Sequence, residues 1–308
     1  LDADHVKAMQ ERGLTLKGKA DFSAPVKACL PQELSGPLGV VFLCVKAMHT
    51  ESAMATIAPL LAEDGYVLSL QNGLEEPKIA AVVGKARTVG AFINFTADYD
   101  APGEIMYGGP AAFVIGELDG SVTPRLRELA GALEVIQPIE LSDNVQGYLW
   151  GKLSLASPLF ATACVDADVA DMLANPRYQE LFADCSAEVV AVARAAGVRC
   201  VGFDGYDPTV MQFAEPRNWD GIRASWLQYK EYWDTSLKKR TGIWRDLVVR
   251  RRKTEVEWQI TPVIEVGASL GHQVPLNRAI RELIREIENG TRAMGWNNLA
   301  ELQALNAR

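Results

Sequence analysis

The run GVVFLCV at residues 39–45 is followed by YVLSL at residues 66–70, and both are mainly apolar. TVGAFINF at residues 88–95 and AAFVIG at residues 111–116 repeat the pattern. Continuous apolar runs of this length are typical of strands that are covered on both faces, as in a parallel sheet. Helical patterns separate them: Thr50 can cap residues 51–62, and Thr123 followed by Pro124 opens a helix through residue 133. Alternating strands and helices predict an α/β fold, a Rossmann-type doubly wound parallel sheet.

The pattern changes after residue 142. Asp143 can cap a helix that runs toward residue 164, and helical patterns resume at residues 177–196, 219 to about 270, and 275–288. Residues 204–216 carry aspartate, proline and glycine and are predicted to form a loop. We therefore expect an all-α second domain, with domains at residues 1–142 and 143–308.

The composition excludes several classes of protein. The chain has 308 residues, 48% of them hydrophobic and 23% charged, with 31 basic and 39 acidic side chains for a net charge of −8. This balance predicts a folded globular protein and argues against one that coats nucleic acid or an anionic membrane. No apolar run approaches the roughly 20 residues that a membrane helix needs.

The cysteines and histidines argue against a metal centre. There are only three histidines, and the five cysteines contain no C-x-x-C pair: Cys29, Cys44, Cys164, Cys185 and Cys200. We expect buried free thiols in a reducing compartment, with no disulfides and no metal site. The first 17 residues have no long apolar centre and so do not resemble a signal peptide, which favours a cytoplasmic location.

Candidate ligand-binding residues follow the first two strands, because a doubly wound sheet binds its ligand at the carboxyl ends of its strands. Lys46 follows the first run, and Gln71, Asn72 and Gly73 follow the second; the alternative for Asn-Gly is an ordinary turn. The G-x-G-x-x-G loop expected of a dinucleotide domain does not occur. Residues 4–13 instead form a helical pattern leading into residues 14–17, so we expect the native protein to carry a strand, glycine loop, helix and strand before Leu1.

Three motifs in order resemble one family. They are VVFLCVKAMHT with VLSLQNG in residues 40–73, YLWGKL at residues 148–153, and TEVE at residues 254–257 with GHQVPLN at residues 271–277. Together they are similar to the ketopantoate reductases (2-dehydropantoate 2-reductases). The resemblance implies a truncated dinucleotide-binding domain, a helical substrate and dimerisation domain, NADP as cofactor with NAD not excluded, a homodimer, and a role in pantothenate biosynthesis.

The resemblance also implies roles for particular residues. Lys152 is the expected general acid, and Glu255 is expected to accept a hydrogen bond from a substrate hydroxyl. A lysine in a desolvated cleft has a lowered pKa and can donate a proton to a ketone oxygen, whereas the alternative is a solvated lysine on a helix. Asn72 is expected between nicotinamide and substrate. The residues assigned to the cofactor are Lys46, Gln71, Asn72 and Gly73.

The chain departs from the family's pattern around the substrate. Two asparagines expected after the catalytic lysine are replaced by Ala156 and Phe160, and an expected serine falls at Thr241. The stretch from Asp246 to Glu255 is one residue longer than usual. Loss of two amides and gain of a phenyl ring predict a less polar or differently shaped 2-oxo acid as substrate.

Two further patterns have structural explanations. The basic run at residues 250–253 is expected to form a solvated face or intersubunit ion pairs, although one arginine could meet a substrate carboxylate. Trp219, Trp226 and Trp233 recur every seven residues and predict core or dimer packing on one helix face.

The sequence thus predicts NAD(P)H-dependent reduction of a 2-oxo acid to a 2-hydroxy acid. One alternative is another hydroxy-acid dehydrogenase that works oxidatively. The other is a non-catalytic binding or scaffold protein that kept the fold, because fold alone does not separate these functions.

Overall fold

The structure, a computed structural model, describes residues 2–235 and 240–306, which form two compact units. The first unit ends at Asp143 and the second begins at Asn144, except that residues 46–48 and 72–75 belong to the second. The strands are β1 (Leu14–Gly18), β2 (Phe22–Ala24), β3 (Leu38–Leu43), β4 (Leu61–Ser69), β5 (Thr88–Ile93), β6 (Ala97–Ala101), β7 (Glu104–Tyr107), β8 (Phe113–Glu117) and β9 (Glu140–Leu141). The α-helices of the first unit are α1 (Ala3–Arg12), α2 (Thr50–Ile57), α3 (Glu76–Val83) and α4 (Pro124–Leu133).

The main sheet of the first unit has the order β3-β4-β5-β8-β9. β3, β4 and β5 are parallel, as the apolar runs predict, and β9 is parallel to β8. β8 runs antiparallel to β5, so the expectation of an all-parallel sheet is wrong at this strand. The reason is the connection: the chain passes from β5 to β8 through β6 and β7 without a helix, and only a parallel pair requires a helical crossover.

Apolar side chains cover both faces of this sheet. One cluster joins β4, β5 and β8 to α4, and a second joins β3 and β4 to α2 and α3. The strand β3 lies at the sheet edge, where Val40 and Phe42 are half exposed, so the expected burial on both faces is wrong there. The helix α2 ends at Ile57, earlier than expected, because β4 already begins at Leu61.

A second sheet, of order β2-β1-β7-β6, was not predicted. β6 and β7 form an antiparallel hairpin, and β7 pairs in parallel with β1. The helix α1 confirms the helical pattern seen at residues 4–13, and the strand β1 follows it.

The second unit is helical among its described residues, as predicted, and its one β-bridge joins Phe203 and Tyr206. Its α-helices are α5 (Val145–Thr162), α6 (Val169–Ala174), α7 (Gln179–Ala195), α8 (Trp219–Asp234), α9 (Gly242–Trp244), α10 (Val256–Gln259), α11 (Thr261–Ser269), α12 (Pro275–Glu288) and α13 (Trp296–Asn306). The cap of α5 is Asn144 rather than Asp143, since its side chain accepts from the Gly147 N–H. The helical patterns expected from residue 219 to about 270 form several elements: α8 ends at Asp234, and shorter helical elements follow.

The tryptophan stripe packs as predicted at two of its three positions. Trp226 and Trp233 are buried, whereas Trp219 is partly exposed and lies beneath the guanidinium of Arg217, 4.7 Å from its ring centroid. In the described parts of the chain no helix combines the length and apolar character needed to span a membrane.

The five cysteines are free thiols, but burial was predicted for all of them and only three are buried: Cys164, Cys185 and Cys200. The prediction is wrong for Cys29, which lies outside regular structure, and for Cys44, which follows the edge strand β3.

Candidate active site

The two short segments that follow β3 and β4 belong to the helical unit. The Ala47 N–H donates to Oε1 of Glu255 at 3.2 Å. Gly73 has φ +93°, and a Cβ at this position would lie 2.7 Å from the Trp258 carbonyl oxygen. Both the positive φ and the close approach require glycine here. The segments predicted from the strand ends therefore converge on the start of α10.

Lys152 has the environment of an activated lysine. It lies on α5, is largely buried, and burial lowers its pKa to about 8. The carboxylates of Glu255 and Asp204 act against this, because each negative charge favours the ammonium form. Such a lysine carries a proton at neutral pH yet releases it far more readily than a solvated lysine.

Glu255 is held by its neighbours. Thr254, which is buried, donates to Oε1 of Glu288 through its N–H at 2.7 Å and its hydroxyl at 2.6 Å. Glu255 then directly precedes α10. Only Oε1 of its carboxylate is hydrogen-bonded among the described residues, so Oε2 is available to a ligand.

The buried carboxylate of Asp246 forms ion pairs with side chains of the basic run. Its side chain is 6% exposed and accepts from Lys46 Nζ at 2.5 Å, Arg252 Nε at 2.9 Å and Arg250 Nη1 at 3.3 Å. All four residues of the basic run are exposed, as expected of a solvated face, and Arg250 and Arg252 also pair with Asp246 within the chain. Lys46, predicted beside the cofactor, already has this carboxylate as a partner.

A widened helical turn overlaps the stretch from Asp246 to Glu255, which was expected to be one residue longer than usual. Residues Arg245–Val249 form a π-helix, in which the Arg250 N–H donates to the Arg245 carbonyl at 2.8 Å, five residues back. A π-turn takes up one residue more than an α-turn. Asp246 and Glu255 can therefore hold their contacts with Lys46 and Ala47 despite the longer spacing.

Gln71 and Asn72, also assigned to the cofactor, differ in how many of their side-chain polar groups already have a hydrogen-bond partner. Gln71 Nε2 donates to the Val45 carbonyl at 2.9 Å and to Thr50 Oγ1 at 2.8 Å, and its Oε1 is buried without a partner. Thr50 is thus an acceptor for Gln71 and lies inside α2 instead of capping it. Asn72 is partly exposed and its side chain makes no hydrogen bond to the described residues. Cofactor binding by these residues stays a prediction.

The residues assigned to the substrate also differ in how much of each is exposed. Thr241 is buried, and its hydroxyl accepts from the Trp244 N–H at 3.0 Å. Ala156 is 6% exposed, whereas Phe160 has no exposed surface and belongs to the core of the helical unit. Phe160 therefore does not line an open cavity in this structure, and its contact with substrate stays a prediction.

Sequence reasoning missed Asp246 and Asp204. The signal for Asp246 was present, because Arg250 lies four residues later, where helical side chains meet. The signal for Asp204 was the Asp-Gly dipeptide, which favours a tight turn. Neither pattern alone indicates proximity to Lys152 or Lys46.

Comparison with known proteins gives a consistent result along the chain. The family model "Ketopantoate reductase PanE/ApbA" matches residues 1–120, and its C-terminal counterpart matches residues 144–288. A 2-dehydropantoate 2-reductase of Mesorhizobium japonicum is 26% identical over 92% of this chain and 87% of its own length.

Solved structures agree. A ketopantoate reductase of the PanE/ApbA family from Ralstonia eutropha is 27% identical with a TM-score of 0.76, covering 94% of this chain and 89% of that one. A D-mandelate dehydrogenase, solved with NADH and anilino(oxo)acetate, is 19% identical with a TM-score of 0.80 and the same coverage of both chains, and so shares the fold.

Proposed function

The chain belongs to the ketopantoate reductase family of oxidoreductases, and from that premise we propose that it reduces the keto group of a 2-oxo acid to a hydroxyl, with Lys152 as proton donor. The observation that carries this proposal is the environment of Lys152: a largely buried ammonium whose pKa is lowered to about 8. A general acid works best when its pKa lies near the working pH.

The reaction requires two hydrogens from different sources. A reduced nicotinamide, when bound, supplies the hydride that forms the new C–H bond at the carbonyl carbon. Lys152 gives the proton that forms the O–H bond and is left as a neutral amine. Before that transfer, its positive charge stabilises the negative charge that develops on the oxygen.

Glu255 and Asn72 position the substrate in this proposal. Oε2 of Glu255 can accept a hydrogen bond from a substrate hydroxyl while Oε1 holds the Ala47 N–H. The Asn72 amide, which has no partner in the described structure, can donate and accept at the reacting group. The Thr241 hydroxyl can donate its hydrogen, because its capping bond uses only its acceptor side.

The residues fit the nicotinamide end of a cofactor. Asn72 has an unused carboxamide, Gln71 has an orphaned buried oxygen, and Lys46 supplies a positive charge. We propose NADPH as the preferred cofactor, as the resemblance implies, with NADH as the alternative to be measured beside it.

The preferred substrate in this proposal is a 2-oxo acid that keeps a hydroxyl for Glu255 but is otherwise bulkier and less polar than ketopantoate. Ala156 stands one turn after Lys152, where the resemblance implies an amide, and it carries this proposal; Phe160, two turns after Lys152, also replaces an implied amide but has no exposed surface. A site built to hydrogen-bond a hydroxyl discriminates strongly against analogues that lack it, and these positions offer no hydrogen bond.

The test is a screen for oxidation of NADPH and NADH, followed by absorbance, across ketopantoate and 2-oxo acids with aliphatic and aromatic side chains. We expect turnover by the unmodified protein and a ~10²–10⁴-fold lower kcat for Lys152→Ala. Lys7→Ala is the matched control, since that lysine is exposed. Turnover of no 2-oxo acid, or equal rates for the two variants, would disprove the proposal. The homodimer and the cytoplasmic location stay predictions; light scattering measures the first.

A further inference from the structure

The loop from Arg199 to Val201 lies directly on a glycine face of α5. A Cβ on Gly147 would lie 2.3 Å from the Arg199 carbonyl oxygen, and one on Gly151 would lie 2.4 Å from the Val201 carbonyl oxygen. The Val201 N–H donates to the Gly147 carbonyl at 3.0 Å. Gly147 and Gly151 are four residues apart and so share one face of the helix. The missing side chains bring the loop onto the helix next to Lys152.

The loop then reverses in a two-residue turn. The N–H groups of Phe203 and Tyr206 donate to each other's carbonyl oxygens at 3.0 and 2.8 Å. Asp204 and Gly205 between them have φ +45° and +84°. Two successive positive φ values define a type I′ turn, for which Asp-Gly is a preferred pair.

The turn is fixed to two helices. The Tyr206 hydroxyl hydrogen-bonds Ser154 Oγ at 2.9 Å, two residues after Lys152 on α5. A Cβ on Gly205 would lie 3.0 Å from Gln228 Cβ, so the turn also packs closely on α8. The position of the Asp204 backbone is therefore set by the packing of α5, the loop and α8.

We propose that Asp204 is a positioning residue for Lys152, because the type I′ turn, seated on the glycine face of α5, holds its carboxylate within electrostatic range of the lysine ammonium. This inference rests on the proposed role of Lys152 as proton donor. In that role Glu255 is occupied by the substrate, whereas Asp204 supplies a countercharge that is present throughout the reaction.

The charges around Lys152 support separate roles for Glu255, which binds substrate, and Asp204, which supplies the countercharge. The carboxylates that raise its pKa are those of Glu255 and Asp204. The groups that face Asp204 from α8 are Tyr229 and Tyr232. Burial raises the pKa of both tyrosines, that of Tyr232 to about 12, so both remain neutral phenols. Removing the Asp204 charge should therefore lower the pKa of Lys152 further.

The test is Asp204→Asn. Asparagine tolerates positive φ, and Asn-Gly is itself a strong type I′ pair, so the turn is preserved while the charge is lost. The pKa of Lys152 is read directly, without cofactor or substrate, from its ¹³Cε NMR resonance in lysine-labelled protein, assigned by its loss in Lys152→Met. We expect a fall of about one unit. The alkaline limb of the kcat profile should move down equally, with little change in KM.

The matched control is Asp207→Asn, in the same loop. Asp207 accepts from the Thr209 N–H at 2.8 Å and from its hydroxyl at 2.6 Å, and does not contribute to the pKa of Lys152. We expect no movement of the Lys152 resonance titration in this variant.

The two readouts separate the two proposals. If the NMR titration moves in Asp204→Asn and the kcat profile does not, Asp204 positions Lys152 but Lys152 is not the proton donor. If the NMR titration does not move, or moves equally in Asp207→Asn, the role of Asp204 is refuted whatever happens to kcat.

Discussion

Replacing Asp246 by asparagine should destabilise the helical unit by about 2 kcal/mol. The carboxylate is 6% exposed and contacts Lys46, Arg250 and Arg252, whose side chains are 28%, 31% and 47% exposed. Contacts to such partly exposed cations contribute about 0.5–1 kcal/mol each. Asparagine keeps the shape and an acceptor but leaves three cations close together without their countercharge.

Urea unfolding followed by tryptophan fluorescence measures this loss. All seven tryptophans lie after residue 144, so the signal reports the unit that contains Asp246. The matched control is Asp220→Asn on α8, where the carboxylate is 97% exposed and pairs with Arg223 three residues later. We expect a loss below about 0.5 kcal/mol there.

The reasoning would be refuted by equal losses in the two variants. It would also be refuted if the Asp246→Asn loss disappeared in high salt, because ion pairs on a buried carboxylate are screened much less than exposed ones. A change in the slope of the transition would mean that the variant alters the unfolded state or the cooperativity, and the comparison would then use calorimetry.

Three further predictions follow from the site. Because the ammonium of Lys152 is the donating form and its pKa lies at about 8, kcat should fall about tenfold per pH unit above that value; a profile flat to pH 10 contradicts this. Gly151→Ala places a Cβ 2.4 Å from a loop carbonyl oxygen and should lower the free energy of unfolding by about 2 kcal/mol. Gly131→Ala, whose Cβ would have no atom within 4 Å, should raise it by about 0.5–1 kcal/mol. Calorimetry that gives changes of the same sign for both variants contradicts this. Ala156→Asn should shift the kcat/KM ratio toward ketopantoate by about 1–3 kcal/mol, and efficient ketopantoate reduction by the unmodified protein contradicts the expected preference.

The parts of the fold that could be predicted are those with a local cause. The apolar runs identify β4 and β5, and the Thr123-Pro124 pair marks the start of α4, where the Thr123 hydroxyl accepts from the Leu126 N–H at 3.3 Å. The hairpin β6–β7 carries no such run, because its residues are exposed or half buried. Its pairing with β1 joins segments about 90 residues apart and leaves no local trace.

In the candidate site, too, the residues that could be predicted are those with a local sequence signal. Lys152 and Glu255 could be predicted from motifs in the chain, but Asp246 could not, since it meets Lys46 across 200 residues of sequence. For Asp204, a sequence signal for the turn did not suffice to predict where the turn lies in the fold. Its turn could be predicted from Asp-Gly, whereas its place beside Lys152 depends on two glycines of another segment that let the loop settle on α5.

The π-turn at Arg245–Val249 has a consequence for how sequences of this family should be aligned. A π-turn can accommodate one inserted residue inside a helix. The residues before and after the turn can then keep their contacts with the rest of the molecule. A one-residue gap placed in the part of the turn that follows Asp246 keeps both Asp246 and Glu255 aligned, whereas a gap placed before the turn would shift Asp246 by one position. The same turn is the natural position for a one-residue deletion in protein engineering, since it can tighten to an ordinary helical turn while Asp246 and Glu255 stay in place.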